Sequence, residues 1–268
     1  MKFTRKLTVT LLTLALVLSC VPCTATEIQA APKADKSLTT YLIPDRWNTK
    51  GIAGGYIAIS GLRKSFSYDD LDKMEDTIKC SKRNFLSFDG TDIEKRSTWI
   101  GIMAEKPGTA TVSFKIDKKE FKTKVYVKKY TNPVRSVSIT GVEKNGNTNL
   151  AKYTDRNSET PKLDLTRSTV KNPKIKITAK KDWKIDGIYY MGAISSTSEP
   201  AVNDPGSKTY KKPVSKAVIG IFNKTKKLEK GAGGYNIGVG FINTKNNARI
   251  NVRYFIDVNP KDVIDGVG

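Results

Sequence analysis

The sequence predicts an all-β protein whose mature chain forms two tandem β-sandwich domains behind a cleaved signal peptide. The clearest evidence is a hairpin in which apolar and polar residues alternate over residues 110–116 and again over residues 121–128. Side chains alternate between the two faces of a strand, so this spacing separates a core face from a solvent face. A second alternating hairpin covers residues 235–258. Short strand-like runs with turn residues between them fill the rest of the chain, as is typical of sandwiches.

Residues 1–30 predict an export signal. A cationic start precedes an apolar run over residues 7–21, which is shorter than the roughly 20 residues that span a bilayer. Cleavage is expected after Ala30, with Ala31 as a second suitable position. The alternative is a lipoprotein with Cys20 as the lipidated residue. The protein is therefore expected to be secreted or on the cell surface, and no later run predicts a transmembrane segment in the mature chain.

Export determines how the cysteines and the charge are interpreted. Cys20 and Cys23 leave with the signal, so Cys80 has no partner for an intrachain disulfide. The whole chain carries a formal charge of +21, of which residues 1–30 account for +2, leaving +19 on the mature chain. A charge of this size favours polyanionic partners, such as teichoic acids and acidic polysaccharides. Solubility alone would also account for it.

The first domain is predicted over residues 37–131, after a short polar leader at residues 31–37. A helical turn is expected at residues 67–76, with Ser67 as its N-cap and two buried residues, Leu71 and Met74. The other strands are predicted at residues 56–62, 77–81, 85–88 and 99–104, ahead of the hairpin.

A second domain is predicted over residues 132–260. Pro133 closes the first unit, and fresh alternation starts at Val134. Two segments lack bulky apolar residues and are expected to be long surface loops, residues 143–160 and residues 195–213. The strands between them are predicted at residues 174–179, 183–191 and 216–222.

The first domain contains a recognisable motif. It runs Lys106-Pro107-Gly108-Thr109-Ala110-Thr111-Val112-Ser113-Phe114 and, after a turn, Thr123-Lys124-Val125-Tyr126-Val127. This motif resembles the last two strands of bacterial Ig-like domains of group 2. The segment 80–88 occupies the place of that family's Ser-Ser-Asn segment, while the first strands depart from the family pattern and residues 69–76 look like an insertion. Residues 134–258 resemble a second, degenerate domain of this kind. The resemblance implies two tandem Ig-like β-sandwiches, a role in display, adhesion or spacing, and no catalytic residues.

The composition excludes several catalytic chemistries. The chain has no histidine, which removes Ser-His and Cys-His nucleophile systems and histidine-based metal sites. Residues 168–171 fit a Ser-x-x-Lys pattern without its Lys-Thr-Gly companion. The acidic run at residues 69–76 lacks the glycine-containing calcium loop. We therefore expect no enzyme, no cofactor and no metal site.

Three tryptophans and a set of lysines are the remaining candidates for binding. Trp99 and Trp183 are expected in the core, while Trp47 lies in a loop-like segment and is left open as a sugar-stacking residue. The lysines project outward in two stripes that are expected to attract polyanions: Lys115, Lys122, Lys124, Lys128, Lys174, Lys176 and Lys180. Lysine favours diffuse attraction over bidentate phosphate recognition. Tyr126 is the one aromatic residue among them, which argues against specific nucleic-acid recognition.

These observations predict a secreted, non-enzymatic bacterial cell-surface protein, with a binding, adhesion or display role and attraction to anionic cell-wall polymers or glycans. The alternative is a carbohydrate-binding or accessory module of an extracellular glycan-handling system, which a concave aromatic strip would favour. A hydrolase would instead need a polar cleft with two facing carboxylates.

Overall fold

The computed structural model describes residues 31–43, 51–153, 163–190, 208–221, 227–231 and 234–257. The signal segment, Cys20 and Trp47 lie outside these residues, as do parts of both predicted loops. Among the described residues, no helix is long and apolar enough to cross a membrane. Two separate hydrophobic clusters organise the fold.

The first half of the structure contains eight strands and one helix. They are β1 (Lys33–Ala34), β2 (Ser37–Leu42), β3 (Ala53–Ser60), α1 (Tyr68–Glu75), β4 (Lys79–Cys80), β5 (Ser87–Glu94), β6 (Ser97–Ala104), β7 (Gly108–Ile116) and β8 (Lys119–Lys129). Residues 33–34 were expected to belong to a polar leader, and that prediction was wrong. A two-residue strand carries no alternation, and its pairing with Ile59 and Ser60 is a long-range contact.

The eight strands form two facing four-stranded sheets in the arrangement of an immunoglobulin fold. One sheet has the order β1-β3-β6-β5, and the other has the order β2-β8-β7-β4. These correspond to the A-B-E-D and C-F-G sheets of that fold. The first strand is split: β1 pairs with β3, whereas β2 crosses to the other sheet and pairs in parallel with β8. The remaining pairs are antiparallel. The strand order itself confirms the Ig-like sandwich prediction.

The hairpin of β7 and β8 has the predicted alternation. Phe114 is 1% exposed, and its ring stacks on that of Phe121, directly opposite in the register, at a centroid distance of 5.6 Å. Val125 is fully buried, whereas Lys115 and Lys124 are exposed. Apolar residues on the inner positions of this hairpin therefore supply one wall of the first core.

The predicted helical turn is confirmed as α1. The backbone N–H of Ser67 donates a hydrogen bond of 3.0 Å to the Asp70 carboxylate, which also lies 2.6 Å from the Arg63 guanidinium. The Ser67 hydrogen bond, with Arg63 beside it, holds the pKa of Asp70 below its usual value. Leu71 and Met74 face the core, as the sequence predicts.

Gly108 in the family-like motif has a packing role. A Cβ at this position would lie 2.8 Å from the ring of Phe85. Phe85 therefore packs against the start of β7, and any larger residue than glycine would displace it. This contact joins the two separate segments of the motif, residues 80–88 and residues 106–114.

The second half of the structure contains eleven strands. They are β9 (Val134–Ile139), β10 (Val142–Glu143), β11 (Asp164–Leu165), β12 (Thr169–Lys171), β13 (Lys174–Ala179), β14 (Trp183–Tyr190), β15 (Lys208–Val214), β16 (Lys216–Gly220), β17 (Lys227–Glu229), β18 (Tyr235–Asn243) and β19 (Arg249–Ile256).

The main sheets of this half are three-stranded, β16-β13-β9, and four-stranded, β15-β14-β18-β19, and both are antiparallel. Two short pairs, β10-β11 and β12-β17, lie beside them. The chain passes between the main sheets at Ser215, since β15 ends at Val214 and β16 begins at Lys216. Inward residues of both sheets build the second core. This half is therefore also a sandwich of Ig-like strand order.

The prediction of a surface loop at residues 195–213 is wrong for the last part of that range. Lys208 and Thr209 pair with Ile188 and Gly187 at the edge of the four-stranded sheet. Pro213 made this segment resemble a loop in the sequence. Proline is nevertheless tolerated in a strand that lies at a sheet edge or beside a register shift. Both conditions hold here, since β15 lies at the edge of the four-stranded sheet and its register with β14 shifts between Thr209 and Val214.

Candidate functional site

The predicted lysine stripe of the first half lies on the outer face of the β7–β8 hairpin. Lys115, Lys122, Lys124 and Lys128 are all exposed. Glu120 lies opposite Lys115 in the register, and its carboxylate is 3.2 Å from the Nζ of Lys122. Glu120 was not predicted as part of the stripe, although it shares the outward parity of Lys122, Lys124 and Lys128. The first stripe is therefore partly neutralised.

The second stripe is more uniform in charge. Lys174 and Lys176 project from β13, and Lys216 joins them from β16, where it pairs with Thr178. All residues of β9, β13 and β16 are described, and none of them is Asp or Glu. None of the three lysines forms an ion pair with a described residue. We call these three lysines the basic face. Lys180 lies just beyond β13, where its backbone N–H bonds to Pro133.

Sequence reasoning missed Lys216, although a signal was present. Ala217 is buried and Ile219 packs against the second core, so the alternation of β16 places Lys216 and Val218 outward. Val218 is opposite Lys176 and is largely exposed. The face therefore combines three cations with one exposed apolar side chain.

Tyr41 joins the two cores. It lies on β2 next to Leu42, which enters the first core, and alternation turns Tyr41 the other way into the second core. Its ring centroid is 5.5 Å from that of Trp183. The side-chain amide of Asn246 donates a hydrogen bond of 3.4 Å to the Tyr41 hydroxyl. Trp183 is 6% exposed and belongs to the second core, as predicted.

A cleft of about 800 Å³ lies beside this junction. One wall comes from the first half, mainly β2, β3 and β6, and includes Asp35, Gly54, Tyr56, Asp89, Gly101 and Met103. The other wall comes from the β18–β19 turn and the start of β19, and includes Lys245, Asn246, Asn247, Arg249 and Asn251. We call it the interdomain cleft.

Tyr56 lines the first wall of the interdomain cleft and packs against Trp99, which is not itself a lining residue. Tyr56 is 62% exposed, and its ring centroid lies 4.8 Å from that of Trp99 in an edge-on arrangement. The core prediction for Trp99 was wrong. Thr98 and Ile100 face the core, so alternation along β6 turns Trp99 outward beside Tyr56. Trp99 belongs to neither hydrophobic cluster.

Two glycines flank Tyr56 on this wall and differ in their surroundings. Gly101 is opposite Tyr56, and a Cβ there would lie 2.4 Å from the backbone carbonyl oxygen of Asp89. Gly54 has no atom within 4 Å of the position that a Cβ would take. Gly101 therefore permits a close backbone approach, whereas Gly54 leaves open surface beside the ring.

Replacing Gly101 with alanine is expected to lower the free energy of unfolding by roughly 1–3 kcal/mol, because the clash is with backbone that cannot rotate away. Gly54→Ala is the matched control, and it should be neutral or stabilising by up to about 1 kcal/mol, since it restricts the unfolded chain without a clash. Urea unfolding of both variants measures the difference. Equal losses would contradict the close approach at Gly101.

The charged groups of the cleft balance one another. Two carboxylates, Asp35 and Asp89, and two cations, Lys245 and Arg249, are among the lining residues. Both cations already have acidic partners on their own side: Lys245 lies 2.8 Å from Asp182, and Arg249 lies 3.3 Å from the buried carboxylate of Asp186. The cleft is therefore polar but close to neutral.

The described residues contain no group of three or more His, Cys, Asp or Glu that could hold a metal ion. Cys80, on β4, is half-buried and forms no disulfide with any described residue.

No protein-family model and no curated protein matches this chain. Among solved structures, it is similar to the surface layer protein SbsC, domains 4–9, at 10% identity and a TM-score of 0.28, covering 87% of this chain and 32% of that one. The adhesin InvE of Yersinia pseudotuberculosis matches at 8% identity and a TM-score of 0.23, with 83% and 58% covered. The titin Ig tandem A164-A165 matches at 8% identity and a TM-score of 0.22, with 85% and 97% covered. Since these TM-scores are low, the fold assignment rests on the strand order and not on these similarities.

Proposed function

We propose that this is a secreted, non-enzymatic cell-surface protein of the Ig-like type, which binds or displays at the cell envelope and is held there by anionic polymers. The observation that carries the proposal is the basic face, where Lys174, Lys176 and Lys216 share one sheet surface without a carboxylate among the strands that form it. Export is supported by the charged start and the short apolar run of residues 1–30.

Lysines that share one face and have no acidic partner among the described residues lower stability, because like charges on neighbouring strands repel. Their combined field extends into solvent and attracts a flexible polyanion without needing a shaped pocket. Lysine suits this role, because its ammonium group is a compact point charge on a flexible stem. A teichoic acid or an acidic polysaccharide presents repeated charges that such a face can meet in many registers.

The two stripes are expected to contribute unequally. In the first stripe, Glu120 lies opposite Lys115 and beside Lys122, so a polyanion approaching there also meets a carboxylate. The basic face has no such neighbour within its strands. Reversal of the basic face should therefore weaken binding more than reversal of the first stripe.

We expect the mature protein to bind lipoteichoic acid and heparin with an affinity that falls steeply as salt rises, since attraction between exposed charges is screened over about 8 Å at physiological ionic strength. The triple variant Lys174→Glu, Lys176→Glu and Lys216→Glu should lose more affinity than Lys115→Glu, Lys122→Glu and Lys124→Glu together. Titration calorimetry over a series of salt concentrations measures both effects.

A matched control has the same change in net charge at dispersed positions. Lys64, Lys106 and Lys152 are exposed residues outside the strands. If reversing these three weakens binding as much as reversing the basic face, net charge alone governs the attraction. Binding that is indifferent to salt would remove the electrostatic proposal.

A further inference from the structure

We propose that the interdomain cleft binds a neutral oligosaccharide of pyranose rings, which stacks on Tyr56 and hydrogen-bonds to the asparagines of the opposite wall. This inference goes beyond the proposed function, because it concerns a different surface, a different ligand class and a different type of attraction. It rests on the aromatic platform, the fixed amides, the charge balance and the size of the cleft.

The aromatic platform is held in place. Tyr56 stays 62% exposed while its ring packs edge-on with Trp99, and Met103 lies further along the same wall. The Tyr56 ring is therefore accessible to a ligand and is also supported by a second large ring. Gly54 beside it leaves the surface flat and open. The apolar C–H face of a pyranose ring matches a flat, supported aromatic surface of this kind.

The opposite wall carries amide side chains in a fixed turn. The Oδ1 atom of Asn246 accepts a hydrogen bond of 3.0 Å from the backbone N–H of Ala248, while its amide nitrogen donates to Tyr41. Asn243 holds the same turn by accepting from the backbone N–H of Lys245. Asn247 is exposed at the tip. An amide side chain has two N–H donors and an acceptor oxygen, the combination that sugar hydroxyl and acetamido groups require. Asn246 keeps one N–H beyond its internal bonds, and Asn247 adds an exposed amide.

The charge balance distinguishes this ligand from a polyanion. Lys245 and Arg249 are engaged by Asp182 and Asp186, and Asp35 and Asp89 line the other wall. A polyanion entering the cleft would meet two carboxylates and no unpaired cation among the described lining residues. The hydroxyls of a neutral sugar can instead donate hydrogen bonds to those carboxylates, and its binding needs no unpaired cation.

The size of the interdomain cleft also suits a small-molecule ligand. Its volume of about 800 Å³ lies within the range of about 300–1,000 Å³ that is usual for small-molecule sites, which are lined by aromatic residues and a few placed polar groups. Such sites occur preferentially at domain interfaces, and here the two walls come from two separate hydrophobic units.

The test uses the mature full-length protein and three neutral probes: the N-acetylglucosamine hexamer, cellohexaose and mannohexaose. Titration calorimetry should detect binding of at least one hexasaccharide, and its affinity should be nearly unchanged between low and high salt. Tyr56→Ala should weaken that binding at least 10-fold while leaving the melting temperature close to wild type, since the side chain is mostly exposed.

Tyr68→Ala is the matched control, because Tyr68 is 64% exposed on α1, outside the lining of the cleft. It should bind the sugar as wild type does, and so should the triple glutamate variant of the basic face. The proposal is overturned if none of the three hexasaccharides binds, if Tyr68→Ala weakens binding as much as Tyr56→Ala, or if salt abolishes the binding. Loss of polyanion binding in the triple variant with sugar binding intact separates this inference from the proposed function.

Discussion

Replacing Phe114 with alanine is expected to lower the free energy of unfolding by roughly 3–5 kcal/mol, which is the usual effect of emptying a buried aromatic site. Phe114 is 1% exposed and stacks on Phe121 across the hairpin. The loss is a large share of the stability of a small domain, because folded proteins are stable by only about 5–15 kcal/mol. Urea unfolding of the mature protein, followed by tryptophan fluorescence, measures it.

Lys115→Ala is the control for this prediction, since Lys115 is the next residue along β7 and points to the opposite face. It is exposed and lies opposite Glu120. Its replacement should change stability by less than about 0.5 kcal/mol. Similar losses at Phe114 and Lys115 would show that the alternation of β7 does not separate core from solvent.

Tyr41→Ala should also destabilise the protein strongly, by about 3 kcal/mol, the lower end of the range for a buried aromatic ring. Tyr41 is 7% exposed, and its ring packs with Trp183 although it projects from a strand of the first sandwich. Removing it opens a gap in the second core and breaks the contact between the two units. Urea unfolding should therefore show the second unit unfolding at a lower urea concentration.

Tyr41→Phe separates the ring from the hydroxyl. The ring packing stays, and only the 3.4 Å hydrogen bond from Asn246 is lost. We expect a loss of about 1 kcal/mol or less, as for a single hydrogen bond. A Tyr41→Ala variant as stable as Tyr41→Phe would mean that the ring contributes nothing to the second core.

Local patterns predict much of this fold. The β7–β8 hairpin and the helix at residues 68–75 follow from alternation and capping, which depend on nearby residues alone. The split of the first strand could not be read in this way. Residues 33–34 are too short to alternate, and β2 is assigned to its sheet by a parallel pairing with β8, more than 80 residues away.

The candidate sites also divide into those that local sequence patterns predict and those that depend on long-range contacts. The exposed lysines of β8 and β13 follow from strand parity, and Trp99 could have been placed outward by the same rule, had Thr98 and Ile100 been taken as the inner residues. Glu120 was overlooked because it was assigned to the turn. The interdomain cleft could not be predicted, since its walls come from segments far apart in the sequence and adjoin the long-range contacts of Tyr41 with Trp183 and Asn246.

The parallel pairing of β2 with β8 has a mechanical consequence. Six residue pairs, from Ser37–Lys124 to Leu42–Lys129, connect the first long strand of the sandwich to its last. When the chain is pulled from both ends and the two-residue β1–β3 pair has yielded, the load enters at the start of β2 and leaves at the end of β8, which lie at opposite ends of this pair. The hydrogen bonds are then loaded in shear and must yield together, whereas an antiparallel pair pulled from one end would unzip bond by bond. A first sandwich connected in this way is therefore expected to resist tension along the chain.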